Sequence, residues 1–219
     1  MAKSILSNFQ KQILAVLAKD VIFIEKFYLT DGTALAEFYL HHRLSEDLDF
    51  FGEQEVDETW LTSLTKKIKQ KLNLDKSEIQ QSFNRHLVFF EKGSQVIKTE
   101  FTYFPFEPVA KRKAVGDLKI DSVLDMAVNK FFTIYQKPAP RHFIDLYLIV
   151  KKYGFSWLEI RKMAKIKFDT DINLLQLGGQ LLVVKETGGL PKMLIDLPVN
   201  EWQEYFLNRA RELEKEIRK

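Results

Sequence analysis

Cysteine is absent from the 219 residues. That removes disulfide scaffolds and thiolate metal sites from consideration, and it fits a reducing compartment. No stretch approaches the roughly 18 uninterrupted apolar residues needed to cross a bilayer. The opening MAKSILSNFQKQILAVLAKD has its apolar stretch broken by Gln10, Lys11 and Gln12, so it lacks the continuous core of a secretory signal. A cytoplasmic protein with no membrane partner is expected. A strong excess of one charge is missing as well. Thirty-three Lys and Arg against 30 Asp and Glu leave a formal charge of +3, which neither demands a nucleic-acid partner nor excludes one. Internal repeats and low-complexity tracts are also lacking.

What remains is the ordinary balance of a globular protein, 46% hydrophobic and 29% charged. The length suits one sizeable core or two small lobes. Phenylalanine is unusually common at 18 copies, most of them expected in the core. Ile5, Phe9, Ile13, Val16 and Leu17 recur at helical spacing. Val21 to Leu29 is rich in β-branched and aromatic residues, and at least its end reads as a buried strand. Asp31-Gly32-Thr33 breaks that pattern, and Thr33 to His42 reads as a helix. Leu48 to Phe51, followed by Gly52, reads as a strand. Trp60, Leu61, Leu64, Ile68 and Leu72 form a further helical stripe. His86–Glu91 and Gln95–Phe104 read as strands joined by a hairpin at Gly93-Ser94. Past Pro105 and Pro108 the periodicity turns almost wholly helical, over about 121–136, 141–153, 156–166, 171–184 and 199–217. The expected fold class is α+β: a small mixed sheet with flanking helices over residues 1–115, then a helical lobe over 116–219.

Asp47 and Asp49 carry the most chemistry. Residues two apart on a strand project from one face, and paired carboxylates repel unless a cation lies between them. Leu48, Phe50 and Phe51 mark a strand that belongs in a core. Two acids on one face of such a strand call for a reason. Oxygen ligands at that spacing suit Mg²⁺ or Mn²⁺, and Mg²⁺ usually binds one or two carboxylates plus substrate phosphates. Two such ions clamp the attacking and leaving oxygens of an in-line phosphoryl displacement. Alone, Asp-x-Asp is also the pattern of a solvated strand end. Upstream, the glycine turn opens a helix, and unpaired first-turn N–H groups form a ready anion site.

Gly32, Thr33, Ala34 and Leu35, then His42, Arg43, Ser45, Asp47, Asp49 and Phe50, together resemble the signature of the AbiEii-like (also MenT-like) nucleotidyltransferases of the DNA polymerase β superfamily. The resemblance implies that Asp47 and Asp49 hold the metals and that Gly32, with its neighbour Thr33, approaches the phosphates. The family's first glycine is Asp31 here, which sets an acid beside the expected phosphate site. Asp tolerates the left-handed backbone such a turn requires. Superfamily members add a third acid from a neighbouring strand, for which Glu100 is the choice. Glu100 shares a face with Lys98, so an exposed ion pair is the other reading of that position. A second resembling block runs from Ser122 to Lys130 and from Pro140 to Tyr147. It implies that Lys130 meets the triphosphate, that Asp145 supports it or the metal site, and that Arg141 binds phosphate or orients Asp145. Lys130 as a surface lysine and Asp145 as an interhelix bridge are the structural alternatives. Arg43 either pairs with an acid such as Asp47 or meets a phosphate. Ser45 either joins it or holds a turn.

The function expected from the resemblance is transfer of a nucleotide from an NTP to an acceptor hydroxyl by a two-metal mechanism. The protein is then the toxin of a toxin–antitoxin or phage-defence pair, with a cognate antitoxin and with RNA, tRNA among it, or a protein as acceptor. The alternative is a catalytically weakened binding module of the same fold, in which Asp31 has removed competent NTP binding.

Overall fold

A computed structural model describes residues 4–186 and 189–218. The chain divides into two compact units. The first comprises the chain up to Tyr39, Ser45–Glu107 and Lys111–Ser122. The second takes Leu40–Leu44, Pro108–Ala110 and the chain from Val123 onward. The short segment carrying His42 and Arg43 is thus lent to the second unit.

The first unit opens with helix α1 (Asn8–Leu17), started by a capping box: the Gln10 backbone N–H donates to the Ser7 hydroxyl, and the Ser7 N–H donates to the Gln10 side chain. The same Gln10 amide donates to the carbonyls of Ser45 and Glu46 at 3.1 and 3.0 Å, so the helix cap also anchors the lead-in to Asp47. Helix α2 (Val21–Lys26) follows, capped by Asp20. The β-branched run is therefore helical in its first part, and only its end, β1 (Phe27–Thr30), is extended. Helix α3 (Asp31–Leu35) leads directly into a π-helical segment, Ala36–Leu40. Then come β2 (Leu48–Gly52), α4 (Glu58–Leu72), β3 (Lys76–Ser82), β4 (Arg85–Lys92), β5 (Gln95–Tyr103), β6 (Lys113–Val115) and β7 (Leu118–Ile120). Among the described residues these strands form one mixed sheet in the order β3-β4-β5-β2-β1-β7-β6. β2 is antiparallel to β1 and parallel to β5.

The apolar face of the centre is largely aromatic. Phe23 meets Phe50 edge-on at 5.0 Å, Phe27 stacks on Trp60 at 5.2 Å, and Phe101 touches Phe23, Phe27, Phe50 and Trp60. On β2, Leu48 and Phe50 are fully buried, which turns Asp49 to the opposite face. Gly52 ends that strand where a Cβ would lie 2.9 Å from the Lys26 carbonyl oxygen and about 3.0 Å from the Phe27 ring. Gly52→Ala is expected to destabilise the protein by about 1–3 kcal/mol through this overpacking. A urea midpoint equal to wild type would show that the β1–β2 edge yields instead.

The second unit is helical: α5 (Val123–Gln136), α6 (Pro140–Tyr153), α7 (Trp157–Lys167), α8 (Leu174–Leu182), a 3₁₀ turn Val183–Glu186, and α9 (Val199–Ile217). Their boundaries follow local chemistry. Pro140 sits in the first turn of α6, and Gly154 ends that helix at φ 71°. Ser156 and Asn173 cap α7 and α8. Phe131 packs edge-on against Trp157, and Phe143 against Phe206. A buried ion pair lies among them: Lys167 Nζ is 2.7 Å from Asp125, which also accepts the backbone N–H groups of Val109 and Ala110. No described helix is long and apolar enough to cross a membrane.

Candidate active site

Strand register builds the first cluster. Thr30 of β1 pairs with Asp49 of β2, and Asp49 pairs with Glu100 of β5. Directly paired residues share a face, so Thr30, Asp49 and Glu100 form a row across three strands. Asp47, just ahead of β2, is held at this row by the Lys98 ammonium. The Asp47 backbone carbonyl accepts the Thr33 hydroxyl, which ties the turn at Gly32 to the acid pair. Thr33 thus holds the Asp47 backbone in place. Gly32 is buried within α3. Asp31, ahead of it, stands at φ 55°, in the left-handed region that few non-glycine residues enter. Ser45 offers its carbonyl to Gln10.

The row is crowded with negative charge. Burial raises the Asp49 carboxyl well above the usual range, and the charges of Asp31, Glu100 and Asp47 add to the rise, against a smaller opposing effect of Lys98. One oxygen of Glu100 accepts the Thr102 hydroxyl at 3.0 Å and lies 3.4 Å from Arg85 Nη1. Lys98 stands over the other acids, with its Nζ 2.7 Å from Asp47 Oδ2 and 3.9 Å from Glu100 Oε2. Burial alone would lower the Lys98 ammonium, but Asp47, with Asp49 and Glu100 behind it, outweighs that and raises it.

The divalent ion implied by the family signature can be tested against these residues. The donor set is all hard oxygen, on one face, and carries more negative charge than its cations offset, which fits Mg²⁺ or Mn²⁺. As the side chains stand, no group of three or more Asp, Glu or His among the described residues is arranged to hold a metal ion. The Lys98 ammonium marks the place that draws a cation.

The second cluster lies wholly within the second unit. Asp145, fully buried on α6, accepts His42 Nε2 at 2.8 Å and Arg43 Nε at 2.7 Å on one oxygen. Its other oxygen takes Arg43 Nη2 at 2.8 Å and Lys130 Nζ at 3.2 Å. The guanidinium grips both oxygens, the strong fork geometry for a carboxylate. Burial by itself would raise this carboxyl, but Lys130, Arg43 and His42 together hold it well below the usual range. The acid that Arg43 takes is therefore Asp145, not Asp47. Lys130 is 4% exposed and bridges α5 to α6 rather than lying on the surface. Arg141 is exposed at the start of α6, and the cations on Asp145 are His42, Arg43 and Lys130. His42 had no role assigned from sequence. Its partner, Asp145, lies 103 residues away and is set by the fold.

Known proteins share this architecture. Residues 12–214 match the family model described as nucleotidyl transferase AbiEii toxin, type IV toxin–antitoxin system. An uncharacterized protein of Aquifex aeolicus, aq_aa25, is 30% identical over 144 residues, covering 65% of this chain and 66% of that one. JHP933 of Helicobacter pylori superposes with a TM-score of 0.61 at 21% identity, over 96% of this chain and 90% of its own. A second H. pylori structure, described provisionally as a nucleotidyltransferase, gives 0.61 at 20% identity over 97% and 98%.

Proposed function

The chain belongs to the AbiEii nucleotidyltransferase toxin family, and from that premise we propose that it moves a nucleotidyl group from an NTP to an acceptor hydroxyl with the help of Mg²⁺ or Mn²⁺. The observation that supports this reading is the row of Asp47, Asp49 and Glu100, assembled at the start of β2 and on β5, where burial and neighbouring acids disfavour the charged form of Asp49. These three acids are the proposed metal ligands. When bound, the metal would offset charge on the reacting phosphate and make the acceptor hydroxyl more acidic. In the transfer, the acceptor hydroxyl gives up its proton to solvent and its oxygen bonds to the α-phosphorus. The bond to the bridging oxygen breaks, and pyrophosphate leaves.

The chain's own residues hold this geometry. Thr33 fixes the Asp47 backbone, Thr102 and Arg85 fix Glu100, and Gln10 fixes the lead-in loop. Gly32, Ser45, Arg43, Lys130 and Arg141 are assigned to the nucleotide on the family resemblance, with Asp145 orienting Arg43 and Lys130. The proposed biological setting is a toxin countered by a cognate antitoxin, with RNA, tRNA among it, or a protein as acceptor.

Incubation with each α-labelled NTP, total RNA and a protein extract tests the reading. One NTP is expected to label an acceptor with Mg²⁺ and not with EDTA. Label released only as free nucleotide or phosphate would point to hydrolysis and overturn transfer. The second reading, a binding module, rests on Asp31, whose charge is the foremost of the like charges acting on Asp49. Calorimetry that gives no heat with any Mg-NTP would favour it.

A further inference from the structure

We propose that Lys98 is a built-in counter-cation of the carboxylate row, which an incoming metal ion must displace from Asp47. The inference rests on the metal-dependent reading above. Lys98 lies two residues before Glu100 on β5, and the two side chains share a face. Its Nζ contacts Asp47 Oδ2 at 2.7 Å and stands 3.9 Å from Glu100 Oε2. The other oxygen of Glu100 is the one held by Thr102 and Arg85. The oxygens facing the ammonium are therefore those the supporting residues leave to a cation.

A lysine suits this task better than an arginine would. Its ammonium is a compact point charge on a flexible stem, whereas a guanidinium would lock a carboxylate in a two-pronged grip. Lys98 is 30% exposed and Asp47 43%, so the ammonium has room to withdraw toward solvent. Held in place, it offsets the repulsion among Asp47, Asp49, Glu100 and Asp31. A bare divalent ion has to compete with it. A metal carried by a triphosphate brings negative charge toward which the released ammonium can turn. Lys98 thereby makes metal binding depend on nucleotide.

Mn²⁺ binding measured by electron paramagnetic resonance, without and with a non-hydrolysable NTP, tests this. Lys98→Met is expected to bind free Mn²⁺ about fivefold more tightly than wild type, the scale of a partly exposed ion pair. It is also expected to gain less from added nucleotide. Lys98→Arg keeps a cation and stays near wild type. Free-Mn²⁺ affinity in Lys98→Met equal to or weaker than wild type overturns the proposal while leaving the metal site standing. Mn²⁺ bound by neither protein, or bound equally by Asp49→Asn, overturns the metal reading itself. A second measurement follows the Lys98 ammonium directly. With lysines carrying ¹³C-methyl groups, the Lys98 resonance, assigned by its loss in Lys98→Arg, moves when metal and nucleotide are added to wild type. A resonance that stays in place overturns the displacement.

Discussion

Asp49→Asn is expected to abolish nucleotide transfer, by about a thousandfold or more, and to leave the protein folded. Loss of a metal ligand forfeits several kcal/mol of transition-state stabilisation, and each 1.36 kcal/mol is about a factor of ten. Stability moves the other way. Burial and the charges of Asp31, Glu100 and Asp47 all disfavour the ionised Asp49 side chain in the folded protein. A neutral amide of the same shape removes that repulsion. In EDTA, the melting temperature of the variant is expected to equal or exceed that of wild type, the trade between activity and stability common at such sites. Transfer from labelled NTP and thermal melting, run on the same preparation, check both halves. Wild-type transfer by this variant would remove Asp49 from the mechanism, and a marked fall in melting temperature would mean that the acid serves the fold.

The largest expected loss of stability comes from Asp145→Ala. It leaves Arg43 and Lys130, both buried, without the carboxylate that each contacts. Removing one partner from a buried charged network costs about 3–5 kcal/mol, a large part of the stability of a typical domain. The pH dependence has a definite sign. The folded carboxyl lies well below its usual value, so its contribution is complete above the unfolded value of about 4 and is lost as pH falls from there toward the folded value. The gap between wild type and Asp145→Ala in urea is therefore flat from neutral pH down to about pH 5 and narrows below pH 4. A gap under about 1 kcal/mol at pH 7 would mean that the cations reach solvent once released.

Much of the fold was legible because its signals are local. The long helices of the second unit show a 3.6-residue apolar period, and glycine, proline, serine or asparagine marks several of their ends. The β4–β5 hairpin turns at Gly93, which stands at φ 58°. Two elements misled or hid. Val21–Lys26 has the β-branched content of a strand but forms a helix, because Asp20 caps its N-terminus and is itself held by Trp60 and Lys67. β3 is a polar edge strand with no buried residue along its length, so no alternation of apolar residues announces it.

The candidate site divides along the same line. That Asp47 and Asp49 lie close together follows from their spacing of two residues, and the spaced signature around them placed the chain in its family. These properties belong to residues near one another along the chain, and sequence alone determined them. Tertiary structure alone decided that Glu100, the third acid the resemblance pointed to, pairs directly with Asp49, through the parallel register of β2 with β5. It also decided that Lys98 supplies the row's cation at Asp47, and that Arg43 is gripped by Asp145, 102 residues away. The reason is physical. Charge pairing depends on distance and burial in the folded chain, and neither is encoded in the spacing of neighbours.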